Sequence, residues 1–385
     1  MNEIRTAAII GAGVMGAGLA GLLADAGLAV TLLDIDPAAA ERAAATQLGP
    51  TPSRRIRAGS SVRDIGLVAD ADWIIEAAAE RLTVKQEIFA ALNAVRKTDS
   101  IVSSNTSTIP LAQLVAAMHV RHASSYVIAH FFNPPKHMRL LELVGGAATR
   151  PDAITALERF AAGPLGRCVV RCHDTPGFIA NRIGNYWMAV ALHEAVTRGI
   201  DIEQADALLC AFGSPVGLFG LLDIVGIDLL PSGWASLQSA LAMDDPLQDY
   251  AAAPPLIAAM IAQGQIGRKA GAGFYRRIAD GGIQVLDLRD LTYRTARVPI
   301  TVSNDLPALI ADHGSGSEFV AAVMDKTLAY AVALVPAIAV SPAEIDLAMR
   351  EGYGWRYGPF ELIERLGSDR FTDVLAAMTA RLRSG

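Results

Sequence analysis

His130 and Glu142 are the first residues to consider. His130 ends the apolar run YVIAHF (126–131), and Glu142 sits inside LLELV (140–144), with Pro134 and Pro135 between them. Carboxylates rarely lie in such apolar strands without a partner. A turn at the two prolines brings Glu142 back beside His130. Imidazole titrates near neutrality, so it can take a hydroxyl proton while a hydride leaves the same carbon, and a carboxylate on its other ring nitrogen fixes the tautomer. From spacing alone, a satisfied histidine in a structural ion pair fits equally well.

A second constellation binds rather than reacts. Gly11-Ala12-Gly13-Val14-Met15-Gly16 is a G-x-G-x-x-G between an apolar strand (4–10) and a small-residue helix. In that setting Gly11 permits a tight turn, Gly13 lets the backbone approach a pyrophosphate, and Gly16 allows close helix–strand packing. The helix N-terminus then offers free N–H groups and a partial positive charge. Asp34 closes the next strand, 28–34, about twenty residues on. It can accept from both hydroxyls of an adenine ribose and would repel a 2′-phosphate, so NAD is the expected cofactor rather than NADP. Ser103 to Thr108 follow another strand, where polar residues face the crevice of an open α/β sheet.

These residues need a frame. Strands are expected at 4–10, 28–34, 73–76, 100–103, 126–131 and 139–144, with helical patterns between several of them, as at 83–95. Alternation of this kind predicts an α/β fold, a doubly wound, mostly parallel sheet of the Rossmann type. After Asp174-Thr175-Pro176-Gly177 the pattern becomes mostly α-helical. The expected domains are therefore 1–173, then two helical units at 174–280 and 281–385, with 276–305 as a connector. The helical units read as a tandem repeat. AVAL recurs at 189–192 and 331–334, GLFGLLDIVG (217–226) matches GPFELIERLG (358–367), and Asp206 and Asp346 precede these at matching places.

Composition excludes several classes. The net charge of -6 argues against a nucleic-acid binder. Three cysteines without a C-x-x-C pair argue against a disulfide scaffold and fit a reducing cytoplasm. No metal site is expected from Cys168, Cys172 and His173, which lack a fourth ligand. The N-terminus has no signal pattern, and the longest apolar stretch, Leu328 to Val340, is about thirteen residues and too short for a bilayer. His119, His122, His137, His173, His193 and His313 lack a motif and read as structural or exposed.

Taken together, GAGVMG with Asp34, DWIIEAAAERLTVKQEIF (72–89), SSNTS (103–107), HFFNP (130–134), LLELV, DTPGFIANR (174–182) and GRKAGAGFY (267–275) resemble the 3-hydroxyacyl-CoA dehydrogenase family. The tandem repeat is similar to that of bacterial fatty-acid oxidation enzymes in which this dehydrogenase is fused to a hydratase, although no hydratase segment is expected here. The resemblance implies NAD-dependent oxidation of a (3S)-hydroxyacyl-CoA to the 3-oxoacyl-CoA in fatty-acid β-oxidation. It implies His130 as general base, Glu142 as its partner, and Ser107 and Asn181 as hydrogen-bond donors to the substrate's oxygens. It also implies that Glu80, Lys85 and Lys269 contact the dinucleotide and that Asn105 lies near the nicotinamide. As plain residues, Glu80 and Lys85 also fit a surface pair. The helical half is expected to close over the cofactor and form the acyl pocket. A monomer or weak homodimer is expected, because a tandem copy could cover within one chain the surface that single-repeat relatives pair. A separate hydratase or thiolase could be a partner.

Two departures stand out. Only about thirty-five residues (37–72) occupy the place where the family carries a long helical arm for CoA. Arg54, Arg55, Arg57 and Arg63 there could meet phosphates or simply be solvated. The first repeat reads GLFGLLD where the family favours a GPFELLD-like run. The alternatives are a dehydrogenase of a free hydroxy acid, such as a sugar acid, or an inactive NAD-binding structural protein.

Overall fold

The computed structural model describes residues 3–48, 56–250, 252–279, 281–297, 302–303 and 305–383. Arg54 and Arg55 lie outside them. The chain forms two compact units, residues 1–178 with 337–340, and residues 179–336 with 341–385.

The first unit is built on eight strands: β1 Thr6–Ile10, β2 Ala29–Asp34, β3 Ile56–Ser60, β4 Trp73–Glu76, β5 Ile101–Ser104, β6 Tyr126–Phe131, β7 Leu140–Gly145 and β8 Cys168–Cys172. Their order is β3-β2-β1-β4-β5-β6-β7-β8. Every neighbouring pair is parallel except β6 and β7. This is the doubly wound α/β sheet expected. The central strands read as unbroken apolar runs because helices cover both faces of such a sheet; β4, β5 and β6 are buried throughout. The helix Val14–Asp25 is apolar on most sides, and Leu19, Leu22 and Leu23 sink into the core with Ile9, Leu32 and Trp73.

Two strands were not expected. β3 (IRAGS) and β8 (CVVRC) lie at the two sheet edges. Edge strands bury less and tolerate charge, so Arg57 and Arg171 interrupt the apolar signal. In the 37–72 region the chain forms the helix Pro37–Leu48 and then β3. Arg57 is thus a strand residue, and Arg63 stands exposed in the turn after it.

In the second unit the helices Ala180–Arg198, Ile202–Ala211 and Gly217–Val225 are followed later by Ser315–Ala333, Pro342–Tyr353 and Pro359–Leu366. Asp206 accepts from the amides of Phe219 (2.8 Å) and Gly220 (3.0 Å), and Asp346 accepts from the amide of Phe360 (2.8 Å). Each aspartate therefore satisfies open N–H groups in the first turn of the third helix of its set. A Cβ on Gly217 would come within 2.5 Å of Asp206, and Gly217 also holds φ +71°, so both space and backbone demand glycine there. The core carries a buried polar cluster. The Arg182 guanidinium donates to Asp245 and to the Tyr330 hydroxyl, which itself donates to Asp245 (3.0 Å).

The segment 276–305 is not a plain connector. It holds a three-stranded antiparallel sheet, β9 Tyr275–Arg277, β10 Ile283–Leu286 and β11 Tyr293–Thr295, in the order β11-β10-β9. Three- and four-residue strands rich in Arg and Tyr give too short a period to read. Among the described residues no single helix is long and apolar enough to cross a membrane.

Candidate active site

Strands β1, β2, β4, β5 and β6 run parallel, so their C-terminal ends share one edge of the sheet. That edge gathers the glycine turn after β1, Asp34, Glu76, the SSNTS loop and His130. Ligands of open α/β sheets bind outside these ends.

Register sets the reacting pair. β7 returns antiparallel to β6, and His130 stands directly opposite Glu142. The His130 Nδ1 lies 2.7 Å from Glu142 Oε2, and both side chains are buried. An ionised carboxylate only accepts, so Nδ1–H donates to Glu142 and the neutral ring keeps its lone pair on Nε2. That nitrogen lies 3.0 Å from the Ser107 hydroxyl. The rings of Phe132 and Phe178 flank the imidazole, at 4.6 and 5.5 Å. The result is an aligned series, Ser107–His130–Glu142, with a proton acceptor at its Ser107 end.

The loop carrying Ser107 is held from below. Glu80 Oε1 accepts from the Thr106 hydroxyl (2.5 Å), from the amides of Ser107 (3.0 Å) and Thr108 (3.2 Å), and from the Thr108 hydroxyl (3.1 Å). Burial pushes its acidity down, but the Lys85 charge and these donors outweigh that and hold its carboxyl below the usual range. Lys85 is 1% exposed and is no surface residue; its ammonium meets Glu76 at 2.9 and 3.0 Å and Glu80 at 3.2 Å. Glu76 was not singled out from the sequence. It is fully buried at the end of β4 and also accepts from the Ser104 hydroxyl (2.5 Å) and the Ala78 amide (2.7 Å). The cue that found Glu142, an acid in an apolar strand, was present in WIIE as well. Asn105 Oδ1 accepts from the Phe131 amide (2.9 Å), tying the loop to the end of β6. Asp174 was also missed; it accepts from the amides of Leu111 and Ala112 and so caps the short helix Leu111–Val115.

The glycine turn fits a dinucleotide. Gly11 holds φ +109°, and a Cβ there would strike the Ala77 carbonyl. A Cβ on Gly16 would lie 1.8 Å from the Gly11 carbonyl oxygen, whereas one on Gly13 would meet nothing within 4 Å. The first and third glycines are therefore packing requirements, and the second borders open space at the helix N-terminus, which no side chain caps. Asp34 Oδ2 accepts from the Ala12 amide (2.6 Å) and Oδ1 from the Asp36 amide (2.9 Å), leaving lone pairs for further donors. Val14 and Ile35, adjacent in sequence to Gly13 and Asp34, are 75% and 79% exposed apolar side chains.

Asn181 and Lys269 belong to the second unit. Asn181 is half-buried in the first turn of Ala180–Arg198, where its carbonyl accepts from the Asn185 side chain (2.7 Å). The Lys269 ammonium is 2.6 Å from Asp228. Among the described residues no group of three or more His, Cys, Asp or Glu side chains could hold a metal ion.

Residues 6–175 match the NAD binding domain of 3-hydroxyacyl-CoA dehydrogenase, and residues 177–277 and 319–385 match its C-terminal domain. The chain belongs to the 3-hydroxyacyl-CoA dehydrogenase family. The match to the C-terminal domain thus falls on two separate segments, one carrying GLFGLLDIVG and the other GPFELIERLG. A protein of Rickettsia felis, provisionally named a fatty acid oxidation complex trifunctional enzyme, is 34% identical over 97% of this chain and 55% of its own length. A protein of Bacillus subtilis, provisionally named a 3-hydroxyacyl-CoA dehydrogenase, is 32% identical over 98% of this chain and 53% of its own. The chain thus spans about half the length of these relatives. The crystal structure of 3-hydroxybutyryl-CoA dehydrogenase from Escherichia coli K12 is similar over 99% of this chain and 95% of that one, with a TM-score of 0.75 and 25% identity.

Proposed function

We propose that this chain oxidises the 3-hydroxyl of a (3S)-3-hydroxyacyl-CoA, yielding 3-oxoacyl-CoA, NADH and a proton. The reading rests on one observation above the rest, the Ser107–His130–Glu142 series at the sheet edge beside a dinucleotide turn. NAD, when bound, supplies the hydride acceptor. The residues do the remainder. His130 Nε2 takes the hydroxyl proton as the C3 hydride departs, and the C–O single bond becomes a carbonyl. Glu142 holds the imidazole in the tautomer that exposes Nε2 and stabilises the imidazolium that forms. Ser107 donates to the substrate oxygen once that oxygen takes over Nε2. Asn181 is assigned to the thioester carbonyl. The Gly11, Gly13 and Gly16 turn takes the diphosphate and Asp34 the adenine ribose. Glu80 is assigned to the dinucleotide, with the buried Lys85 acting through it, Asn105 to the nicotinamide end, and Lys269 to the cofactor. A positioned base of this kind contributes ~10²–10⁴-fold in rate.

A role in fatty-acid β-oxidation is supported by the names of the relatives and by the two segments that match the C-terminal domain. A free 3-hydroxy acid is the second reading, favoured by the short helix and strand that stand in the 37–72 region. NADH absorbance with short, medium and long 3-hydroxyacyl-CoAs, beside the free acids, separates the two. Turnover of thioesters alone, lost in His130→Ala, is the expected result. Turnover of the free acids with similar efficiency would transfer the assignment to them. NAD binding without turnover of any substrate would make this a non-catalytic member of the family.

A further inference from the structure

The two C-terminal repeats differ at one cavity. In the first repeat a cavity of about 600 Å³ opens beside Val216, Gly220, Tyr275 and Ile283. That volume lies within the range of small-molecule sites. The corresponding recess of the second repeat is lined by Arg350, Arg356, Tyr357, Glu361, Glu364 and Arg365. By the alignment of GLFGLLDIVG with GPFELIERLG, Tyr357 takes the place of Val216 and Glu361 the place of Gly220. Glu361 fills its position, accepting from the Gly358 amide (2.9 Å) and pairing with Arg350. Arg365 stacks on Tyr357 at 3.9 Å. The second recess, about 480 Å³, is thus lined by side chains paired with one another, while the first has no side chain at the Gly220 position. A Cβ on Gly220 would meet nothing closer than 3.4 Å.

The lining selects a ligand class. Asp206 and Asp223 lie at the buried end, but their oxygens are already engaged. Asp206 takes the Phe219 and Gly220 amides and the Tyr275 hydroxyl (2.9 Å), and Asp223 takes the amides of Phe274 and Tyr275 (both 2.8 Å). The walls are apolar or aromatic. At the exposed end stand Arg268 and Arg277, whose guanidiniums make no side-chain hydrogen bond or ion pair among the described residues, although the Arg268 charge acts on the Asp223 carboxyl. Arg276 is already used, bonded to Gln284 and stacked 3.7 Å over Tyr293. Two guanidiniums with unused hydrogen-bond donors above a largely apolar hollow suit an anion with a hydrocarbon body.

We propose that the Gly220 cavity binds an alkyl chain ending in an anionic head, a carboxylate or a phosphate, with the chain against Val216, Gly220 and Ile283 and the head at Arg268 and Arg277. The site shares no residue with the His130 constellation and does not depend on the dehydrogenase reading.

Isothermal titration calorimetry of the full chain tests this, with decanoate, decyl phosphate, decanol and decyltrimethylammonium below micelle-forming concentrations. One anion should bind per chain, and the better of the two heads assigns the ligand. Removing both guanidiniums (Arg268→Ala with Arg277→Ala) should weaken the anion about tenfold and leave decanol unchanged. Gly220→Glu, which recreates the second repeat's pattern, should abolish binding, whereas Gly220→Ala should retain it and serve as the folding control. NAD binding should be unchanged in all four proteins. Absence of heat with both anions, equal binding of the ammonium amphiphile, or full anion binding in a folded Gly220→Glu protein would overturn the proposal.

Discussion

Glu142 in the sheet unit and Asp206 in the helical unit are both buried acids in apolar surroundings, and they do different work. Glu142 meets a group that carries a proton, the His130 imidazole. Asp206 meets two groups that cannot give theirs up, the Phe219 and Gly220 amides, and a tyrosine hydroxyl that burial and the neighbouring carboxylate keep protonated. Burial pushes the Asp206 carboxyl up to about 7 despite those donors, and its counterpart Asp346 up to about 6. A buried acid beside backbone amides is architecture: it joins one helix to the start of another. The same acid on a histidine whose far nitrogen reaches a hydroxyl is a device for moving a proton. Partner identity, not burial, separates the two.

The largest test of that contrast is His130→Ala. Turnover should fall ~10²–10⁴-fold while NAD affinity holds, as read by NADH absorbance and calorimetry at a temperature where the variant is folded. Removing the imidazole also takes the His130 partner away from the buried Glu142 carboxylate and lowers the thermal midpoint. Lys85→Met comes next. It leaves Glu76 and Glu80 without their cation, and breaking a buried pair from one side costs about 3–5 kcal/mol, visible in urea unfolding. Turnover should drop as well, because Glu80 holds the Ser107 loop. Asp206→Ala removes a helix cap and leaves the Tyr275 hydroxyl without an acceptor, so about 2–4 kcal/mol of stability should be lost. Its kcat should stay at the wild-type level at a temperature where the variant is folded. An equal loss of kcat there would break the comparison.

A pH slope gives a further test of the Asp206 side of the contrast. The folded chain keeps the Asp206 proton up to about 7, whereas the unfolded chain releases it near 3.8. The folded state binds more protons across that window, so this group's contribution to stability falls as pH rises from 3.8 to about 7 and is level above it. Urea midpoints should fall less steeply across the window in Asp206→Asn than in the wild type, the remaining slope coming from the other raised carboxyls, Asp223 and Asp346.

The central sheet was legible because its strands are buried on both faces and read as unbroken apolar runs. β3 and β8 were not, since edge positions admit Arg57 and Arg171. The His130–Glu142 pair was legible because an acid within LLELV is costly without a partner. The support behind it was less so: Lys85 looked like half of a surface pair, and only the fold brings Glu76 up from β4 to bury it. The three-stranded sheet at 275–295 escaped because its strands are too short to establish a period. The short return of residues 337–340 to the first unit leaves no mark in composition or spacing.

The most direct test of the central claim is the single-turnover rate of NADH formation by Glu142→Gln with 3-hydroxybutyryl-CoA at saturating NAD. Glutamine keeps the size of the side chain but cannot enforce the tautomer or offset the imidazolium charge. The account predicts a rate lower by roughly 10²-fold with unchanged NAD affinity and a urea midpoint near the wild type. A wild-type rate in a folded, NAD-binding Glu142→Gln protein would contradict it and reduce the pair to structure.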